Sequence, residues 1–187
     1  LGVLWFLLPF AMRKIAENRL ARLCKSRRAI VLTYDDGPGE TLTPRLIELL
    51  RAGDIRATFY ALGRNAERNP ETLRKLIEDG HDVGSHTYNH TNAWKVWPWQ
   101  AARDVRKGAE TLKVLGGDAH AFRPPFGKLT IAGLVQGWNR GLRYGWWTID
   151  SKDSWARRPI KDVLNEIEDG GGGVVLMHDF DTYEKSP

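Results

Sequence analysis

The sequence predicts an α/β fold built on a parallel sheet, and three observations favour this class. Apolar, β-branched runs alternate with segments of helical periodicity from residue 29 onward. Residue types that carry chemistry repeatedly follow the predicted strands, as they do at the carboxyl ends of parallel strands. The length of 187 residues and the hydrophobic content of 42% suffice for one domain with a sizeable core. We therefore expect a parallel sheet covered by helices, either closed as a barrel or open.

The predicted strands are short apolar runs that end in turns or polar residues. The first is the clearest: residues 29–32 are apolar, and the chain then reaches two acids and a Gly-Pro turn that cannot continue a strand ladder. The predicted strands cover residues 29–36, 57–62, 81–85, 120–122, 144–149 and 173–177.

The predicted helices begin after capping residues and end near glycines. Thr43 precedes Pro44 and Asn69 precedes Pro70, so each pair predicts an N-cap followed by the first helical residue. Glycines follow the last periodic residues of the first three helices, as expected at helix ends. The predicted helices cover residues 43–53, 69–80, 100–115, 129–139 and 159–168.

The N-terminal segment, residues 1–28, differs from the predicted domain, residues 29–187. Residues 1–12 are almost wholly apolar but too few to span a bilayer, which takes about 20 residues. Residues 10–28 are basic and predict an amphipathic helix that suits an anionic membrane surface. The alternative is a helix that packs on the domain and leaves a solvated basic face. The apolar residues of the predicted face are Met12, Ile15, Ala16, Leu20, Leu23 and Cys24.

We therefore predict membrane association through residues 1–28 and leave open which side of the membrane the domain occupies. If residues 1–12 end a longer span, the positive cluster that follows favours a cytoplasmic domain, whereas a signal-peptide remnant favours the opposite side.

Charge argues against a nucleic-acid partner, and cysteine content excludes two structural features. Residues 10–28 carry a local charge of +6, so the net charge of +5 leaves −1 on the remainder of the chain. A near-neutral domain does not favour a nucleic-acid partner. The single cysteine, Cys24, excludes both an internal disulfide and a cysteine-based zinc site. The oligomeric state stays open.

A metal site is indicated by acids and histidines that follow two of the predicted strands. Asp35 and Asp36 lie at the mouth of a buried strand, where two carboxylates need a positive partner. His86 and His90 are four residues apart, and a helical turn would place them on one side. Such a pair alone is more often two surface histidines. With Asp36, it predicts a site for a divalent metal, with Zn²⁺ favoured and iron also accepted.

Five short segments occur in the order of a known family. They are residues 33–38 (TYDDGP), 85–90 (SHTYNH), 123–127 (RPPFG), 150–155 (DSKDSW) and 175–178 (VLMH). On these segments, the chain resembles the polysaccharide deacetylases of carbohydrate esterase family 4, the NodB-homology domain. The resemblance implies a distorted (β/α) barrel. Because the sequence stops nine residues after His178, we expect the barrel to lack its last helix and strand.

The resemblance also implies a role for each site residue. Asp35 would be the general base, oriented by Arg123, and His178 the general acid, with Asp150 or Asp153 nearby in its polar network. Substrate contacts would come from Pro125, Phe126 and Trp155, and the metal ligands would be Asp36, His86 and His90. Singly, these residues have simpler explanations: a surface salt bridge for Arg123, a core histidine for His178, and turn caps for Asp150 and Asp153. An extra residue between Asp153 and Trp155 departs from the family pattern, so the role of Trp155 as a wall of the substrate groove is in question.

The function implied is metal-dependent removal of N-acetyl groups from N-acetylglucosamine-type sugars, in a glycan or a lipid-linked saccharide. Deacetylation of O-acetylated polysaccharide, hydrolysis of a non-sugar C–N bond, and a catalytically inactive glycan-binding module are the alternatives. Trp94, Trp97 and Trp99 crowd the loop after the metal histidines, where they either contact sugar or lipid or pack the loop down.

Overall fold

A computed structural model describes residues 4–156 and 158–181, in which strands and helices alternate. The strands are β1 Ile30–Asp35, β2 Thr58–Ala61, β3 Asp82–Ser85, β4 Asp118–Phe122, β5 Arg143–Tyr144, β6 Ile149–Asp150 and β7 Gly173–His178. The helices are α1 Leu4–Arg27, α2 Leu42–Ala52, α3 Gly63–Arg68, α4 Pro70–Glu78, α5 Pro98–Val114, α6 Ile131–Asn139 and α7 Ile160–Gly170.

The strands form one curled parallel sheet in the order β5-β4-β3-β2-β1-β7-β6. This half-barrel confirms the predicted α/β class and the distorted barrel that the resemblance implied. Strands β1 and β7 pair in register from Ile30 opposite Gly173 to Asp35 opposite His178. The pairing places the two predicted proton-transfer residues side by side at the carboxyl end of the sheet.

The prediction of a single strand at residues 144–149 is wrong, because two short strands, β5 and β6, occupy this region. Strand β5 pairs with β4 at one edge of the sheet, whereas β6 pairs with β7 at the other edge. The backbone between them bridges the two edges: Gly145 N donates to Phe122 O at 2.9 Å, and Thr148 N donates to Val174 O at 2.9 Å. The sequence pattern cannot reveal such a crossing, because residues 144–149 are all buried or half-buried, in the strands and in the link alike.

Two details of the predicted helices also need correction. Helix α2 begins at Leu42 with Thr41 at its N-cap, so Thr43 lies inside the first turn. The Thr43 hydroxyl instead accepts a hydrogen bond from Gly39 N at 2.7 Å and contacts Asp179. The short helix α3 was missed, because it has too few residues to show a helical period.

The main core lies between the sheet and helices α2, α4 and α5. Its centre is Phe59 on β2, which packs with the fully buried residues Ile47, Leu73 and Leu112. Burying one such side chain stabilises the fold by about 1.5–3 kcal/mol. These contacts fix the central strands and therefore the positions of the side chains at their ends.

Helix α1 is present as predicted, and it packs against the domain through part of the predicted apolar face. Ala16 and Leu20 contact the cluster of Phe122, Leu129 and Trp146, and Cys24 is buried. The other predicted members, which point away from the domain, are Met12, Ile15 and Leu23. Within the described residues, no helix has both the length and the apolar character needed to cross a bilayer.

Candidate metal centre and active site

The carboxyl ends of β1, β3 and β7 open into a cavity of about 520 Å³. The predicted site residues that line this cavity are Asp35, Asp36, His86, His90, Phe126, Asp150, Trp155 and His178. Arg123 is fully buried and Asp153 is bonded to His178, so each supports a lining residue. Pro125 is buried and lines a neighbouring cavity rather than the cavity that holds the acids and histidines, so its contact with substrate stays a prediction.

Three of the lining side chains suit a divalent cation. Oδ1 of Asp36 lies 3.6 Å from Nε2 of His86 and 3.3 Å from Nε2 of His90. One ligand atom from each residue falls within 4.8 Å of the other two. Oδ1 of Asp36 is buried and has no hydrogen-bond partner, which is costly for a carboxylate oxygen unless a cation meets it. The residues therefore fit a metal with a two-His, one-carboxylate ligand set.

The buried imidazole of His86 is oriented as a metal ligand. Its Nδ1 lies 2.8 Å from the carbonyl oxygen of Arg123 and donates a hydrogen bond to it. This bond directs the lone pair of Nε2 toward Asp36, as second-sphere contacts do in metal sites. Burial lowers the pKa of His86 to about 3, so the imidazole is neutral near pH 7 and able to coordinate.

The segment that carries His86 and His90 is a loop and not the helical turn that the spacing predicted. Thr87 and His90 have φ angles of 70° and 64°, in the left-handed region. Non-glycine residues in this region store about 1–3 kcal/mol each and persist only when their surroundings hold them.

Asp104 on α5 supplies much of that support, and the sequence analysis missed it. Its carboxylate accepts hydrogen bonds from Asn89 N at 2.9 Å, Asn89 Nδ2 at 3.0 Å and Thr91 N at 3.1 Å. Asp104 lies outside the five family-like segments and 13 residues beyond Thr91. The only available signal was an acid on the helix that follows the histidine loop.

Asp35 is held by Arg123, which lies beneath the cavity. Nη1 of Arg123 donates to Oδ1 of Asp35 at 2.8 Å and to Oγ1 of Thr33 at 2.9 Å. The guanidinium also lies over the Tyr60 ring at 4.2 Å. Arg123 is 0% exposed, which rules out a surface salt bridge. Burial raises the pKa of Asp35 above its ordinary value, whereas the charge and hydrogen bond of Arg123 act in the opposite direction.

The second residue predicted to transfer protons, His178, is paired with Asp153. Nδ1 of His178 lies 2.7 Å from the Asp153 carboxylate, which also accepts from the backbone N of His178 at 2.8 Å. Burial alone would lower the pKa of His178, but the hydrogen bond and charge of Asp153 outweigh burial and raise it. Asp150 also lines the cavity, and it caps the turn at Lys152 N at 2.9 Å. The choice between the two acids therefore falls on Asp153.

Aromatic side chains form the outer walls of the cavity. Phe126 has a φ of 58° in the tight turn that follows Arg123, and its ring centroid lies 4.6 Å from that of His90. Trp155 lines the cavity despite the extra residue before it, and most of its side chain is exposed. Both rings offer a surface on which a sugar face can stack.

Asp179 is a further residue that the sequence analysis did not find. It is 1% exposed, accepts from Gly37 N at 3.1 Å, and receives the Thr43 hydroxyl at 2.8 Å. A Cβ added to Gly37 would lie 2.1 Å from an Asp179 oxygen. Burial raises the pKa of Asp179 to about 7. Asp179 thus holds the turn that follows Asp35 and Asp36.

Comparisons with known sequences point to one family. The family model described as polysaccharide deacetylase matches residues 22–136. A peptidoglycan-N-acetylglucosamine deacetylase of Bacillus cereus is 31% identical over 156 residues, which are 82% of this chain and 56% of the relative. A chitooligosaccharide deacetylase of Azorhizobium caulinodans is 32% identical over 166 residues, covering 87% of this chain and 79% of the relative. The chain thus spans little more than half the length of the first of these relatives.

Solved structures agree with the sequence matches. A family 4 carbohydrate esterase from Streptomyces lividans in complex with acetate has a TM-score of 0.73 and 29% identity, covering 81% of this chain and 79% of its own. The Bc1960 peptidoglycan N-acetylglucosamine deacetylase has a TM-score of 0.75 and 30% identity, covering 82% and 72%. A mutant CE4 family pseudoenzyme with restored enzymatic activity has a TM-score of 0.72 and 26% identity, covering 81% and 57%.

Proposed function

The chain belongs to the polysaccharide deacetylase family, and from that premise we propose that it is a metal-dependent hydrolase of N-acetylglucosamine-type sugars. The observation that carries the proposal is the buried, unpartnered oxygen of Asp36, which faces two imidazoles in the cavity that also holds Asp35 and His178. The names of the relatives, which act on peptidoglycan and chitooligosaccharides, support an N-acetylated glycan as the substrate.

The metal ligands in this proposal are Asp36, His86 and His90, and Zn²⁺ is the favoured ion. When bound, a divalent cation supplies a Lewis acid that polarises the acetyl carbonyl and makes water more acidic. Because this chemistry needs ionised Asp36 and neutral histidines, we expect binding to weaken in acid. The low pKa of His86 keeps that ligand neutral well below pH 7.

Asp35 is the general base of the proposed reaction. Its Oδ1 is occupied by Arg123, so Oδ2 is the atom that takes a proton as water attacks the carbonyl carbon. Arg123 holds the Asp35 carboxylate through one short hydrogen bond. A second hydrogen bond, to the Thr33 hydroxyl, fixes the position of Arg123 itself. The hydrogen bond between Arg123 and Asp35 supports the proposed roles of Asp35 as the base and of Arg123 as the residue that orients it.

His178 is the general acid. Nδ1 donates to Asp153, which leaves Nε2 to protonate the departing amine as the C–N bond breaks. The products are acetate and a free amine. Because Asp153 raises the pKa of His178, a larger fraction of the imidazole is protonated near neutral pH than in a free histidine.

The test is acetate release from N-acetylglucosamine oligomers, comparing zinc-loaded protein, chelated protein and the Asp35→Asn variant. We expect chelation to abolish release and Asp35→Asn to lower kcat by about 10²–10⁴ while zinc stays bound. The matched control is Asp54→Asn, which changes an exposed acid away from the cavity and should keep full activity. Equal release from the Asp35→Asn and parent proteins would refute the assignment of the base. Tight glycan binding without turnover would instead indicate an inactive glycan-binding module.

Substrate presentation is tested with the same sugar in two forms. Soluble oligomers and a lipid-linked saccharide are compared at equal sugar concentration. Preference for the lipid-linked form would support the narrower version of the proposal, and reaction of soluble oligomers alone would exclude it. Release from O-acetylated xylan but not from N-acetylated sugars would favour the esterase alternative.

A further inference from the structure

Helix α1 is held on the domain by one continuous face. The residues of this face recur every three or four positions, as expected for one side of a helix. They are Trp5, Pro9, Arg13, Ala16, Leu20 and Cys24, all buried or half-buried. Arg13 was expected to belong to a solvated or lipid-facing basic surface. Instead its Nη1 donates to Gly127 O at 3.0 Å, and its guanidinium lies 4.3 Å from the centre of the Trp147 ring.

The opposite face of α1 changes character along the helix axis. Its first half exposes apolar side chains that are each 47–62% exposed, and these are Leu4, Leu7, Leu8, Phe10, Met12 and Ile15. Its second half exposes basic side chains. These are Arg19, Arg22 and Lys25, and all of them are exposed. We call this side of α1 the outer face.

The tryptophan loop, residues 91–99, contacts the apolar first half of α1. Phe6 on α1 contacts Trp94 edge to face, with ring centroids 5.3 Å apart. Trp97 and Trp99 stack on each other with centroids 5.1 Å apart, and both are 65% exposed. These two stacked indoles expose a large apolar area that none of the described residues covers. Such rings favour the interface between hydrocarbon and lipid head groups.

We propose that the outer face of α1 and the tryptophan loop bind the surface of an anionic phospholipid bilayer. The apolar first half and the indoles would enter the interface, and the basic second half would meet the negative head groups. Charge complementarity favours this partner over a second copy of the chain, because two copies would bring two clusters of like charge together. A glycan partner does not account for the leucines, since saccharides stack on aromatic rings and not on aliphatic chains.

The proposed surface lies beside the active-site cavity. Lys128 lies over both the Trp94 ring and the Phe126 ring, at 5.0 Å and 5.5 Å, and Phe126 contacts the metal histidine His90. A bilayer bound at the tryptophan loop would therefore border the Phe126 wall of the cavity. Lipid binding itself does not rest on the proposed deacetylation, so it is tested without turnover.

The test is co-sedimentation of the full chain with vesicles of two compositions: pure phosphatidylcholine, and phosphatidylcholine mixed with phosphatidylglycerol in equal parts. We expect binding to the anionic vesicles that falls as salt rises, because the Debye length shrinks from about 10 Å at 0.1 M to about 3 Å at 1 M. Equal binding to both compositions, or no binding to either, would overturn the proposal.

The apolar contribution is tested with Leu8→Glu combined with Met12→Glu. Glutamate keeps a good helix former on the outer face, so the helix should persist while binding falls about tenfold or more. The matched control is Leu49→Glu combined with Val114→Glu, which changes two apolar residues, 69% and 86% exposed, on other helices. Equal losses in both double variants would mean that added negative charge alone weakens binding, and the outer face would lose its role.

The basic contribution is tested with Arg19→Gln combined with Arg22→Gln, against Arg45→Gln combined with Arg103→Gln. Each basic residue near an anionic surface contributes about fivefold to partitioning, so the first pair should weaken binding roughly 25-fold and the exposed control pair hardly at all. Analytical ultracentrifugation without lipid tests the rival occupant. A concentration-dependent dimer that is lost in Leu8→Glu with Met12→Glu, together with absent vesicle binding, would show that a second copy covers this surface.

Discussion

Replacing Asp104 by alanine is expected to weaken metal binding without touching a metal ligand. The Asp104 carboxylate holds the histidine loop through Asn89 N and Thr91 N. In the variant, these two backbone donors lose their protein acceptor, while the bond from Tyr88 N to the backbone oxygen of Asp104 remains. The loop that carries His90 should therefore loosen while helix α5 stays formed, because alanine is a better helix former than aspartate by about 0.5 kcal/mol.

The size of the effect follows from the bonds that are lost. A buried donor without a partner costs about 1–3 kcal/mol. Water can bind part of the freed N–H groups and reduce this cost, because Asn89 is exposed and Thr91 is half-buried. The left-handed strain at Thr87 and His90 can then relax, which favours loop conformations that do not present His90 to the metal. Together these terms cost the metal-competent loop about 2–3 kcal/mol, equivalent to a roughly 30- to 140-fold higher Kd for zinc.

The assay is competition for zinc between the protein and a chromophoric chelator, followed by kcat at saturating zinc. Because Asp104 does not line the cavity, we expect kcat to recover once the metal is bound. The matched control is Asp118→Ala, which also removes a carboxylate from two backbone donors, His120 N and Ala121 N, away from the cavity. A zinc Kd within about threefold of the parent for Asp104→Ala would refute the loop-support argument, since threefold is only about 0.7 kcal/mol.

Two further predictions concern the acid pair and the turn after β1. Asp153→Asn removes the charge that raises the pKa of His178, so the imidazole should lose its proton at lower pH. The basic limb of the kcat/KM profile should then move to lower pH. An unmoved limb would exclude His178 as the general acid. Gly37→Ala would force a Cβ to within 2.1 Å of the buried Asp179 carboxylate and should lower the free energy of unfolding by about 3 kcal/mol or more in urea titrations. Gly170→Ala, where the added Cβ meets nothing within 4 Å, should leave stability unchanged or raise it by up to about 1 kcal/mol, and similar losses in both variants would refute the steric argument.

The sheet was predictable because its signals are local. Strands β1, β2, β3 and β7 lie where short apolar runs end in polar residues, so the pattern alone located their carboxyl ends. The run at residues 144–149 failed because apolar character reports burial and not which neighbour a strand pairs with. Helix α1 was predicted from its composition, but its inner and outer faces were not, since Ala16 and Leu20 face the domain while Ile15 does not.

The cavity was predictable for a different reason. Side chains that act on one substrate must meet at one place, and parallel strands bring their carboxyl ends together. The sequence therefore located Asp35, His86 and His178 without a structure. It could not decide between Asp150 and Asp153, because both acids follow the same strand. Only the turn at Lys152 shows which of the two reaches the imidazole.

The side chains that hold the loops of the site in place lie outside the sequence motifs, so the motifs could not predict them. Three loops beside the cavity are each held by an ionisable side chain from another part of the chain. Asp179 holds the turn after β1, Asp104 holds the histidine loop, and Arg13 bonds the turn at Gly127 from 114 residues away. Since all three loops contain left-handed non-glycine residues, namely Asp36, Thr87 with His90, and Phe126, their own sequences favour other conformations. The motif residues thus supply the groups of the proposed chemistry, while distant side chains hold those groups in place.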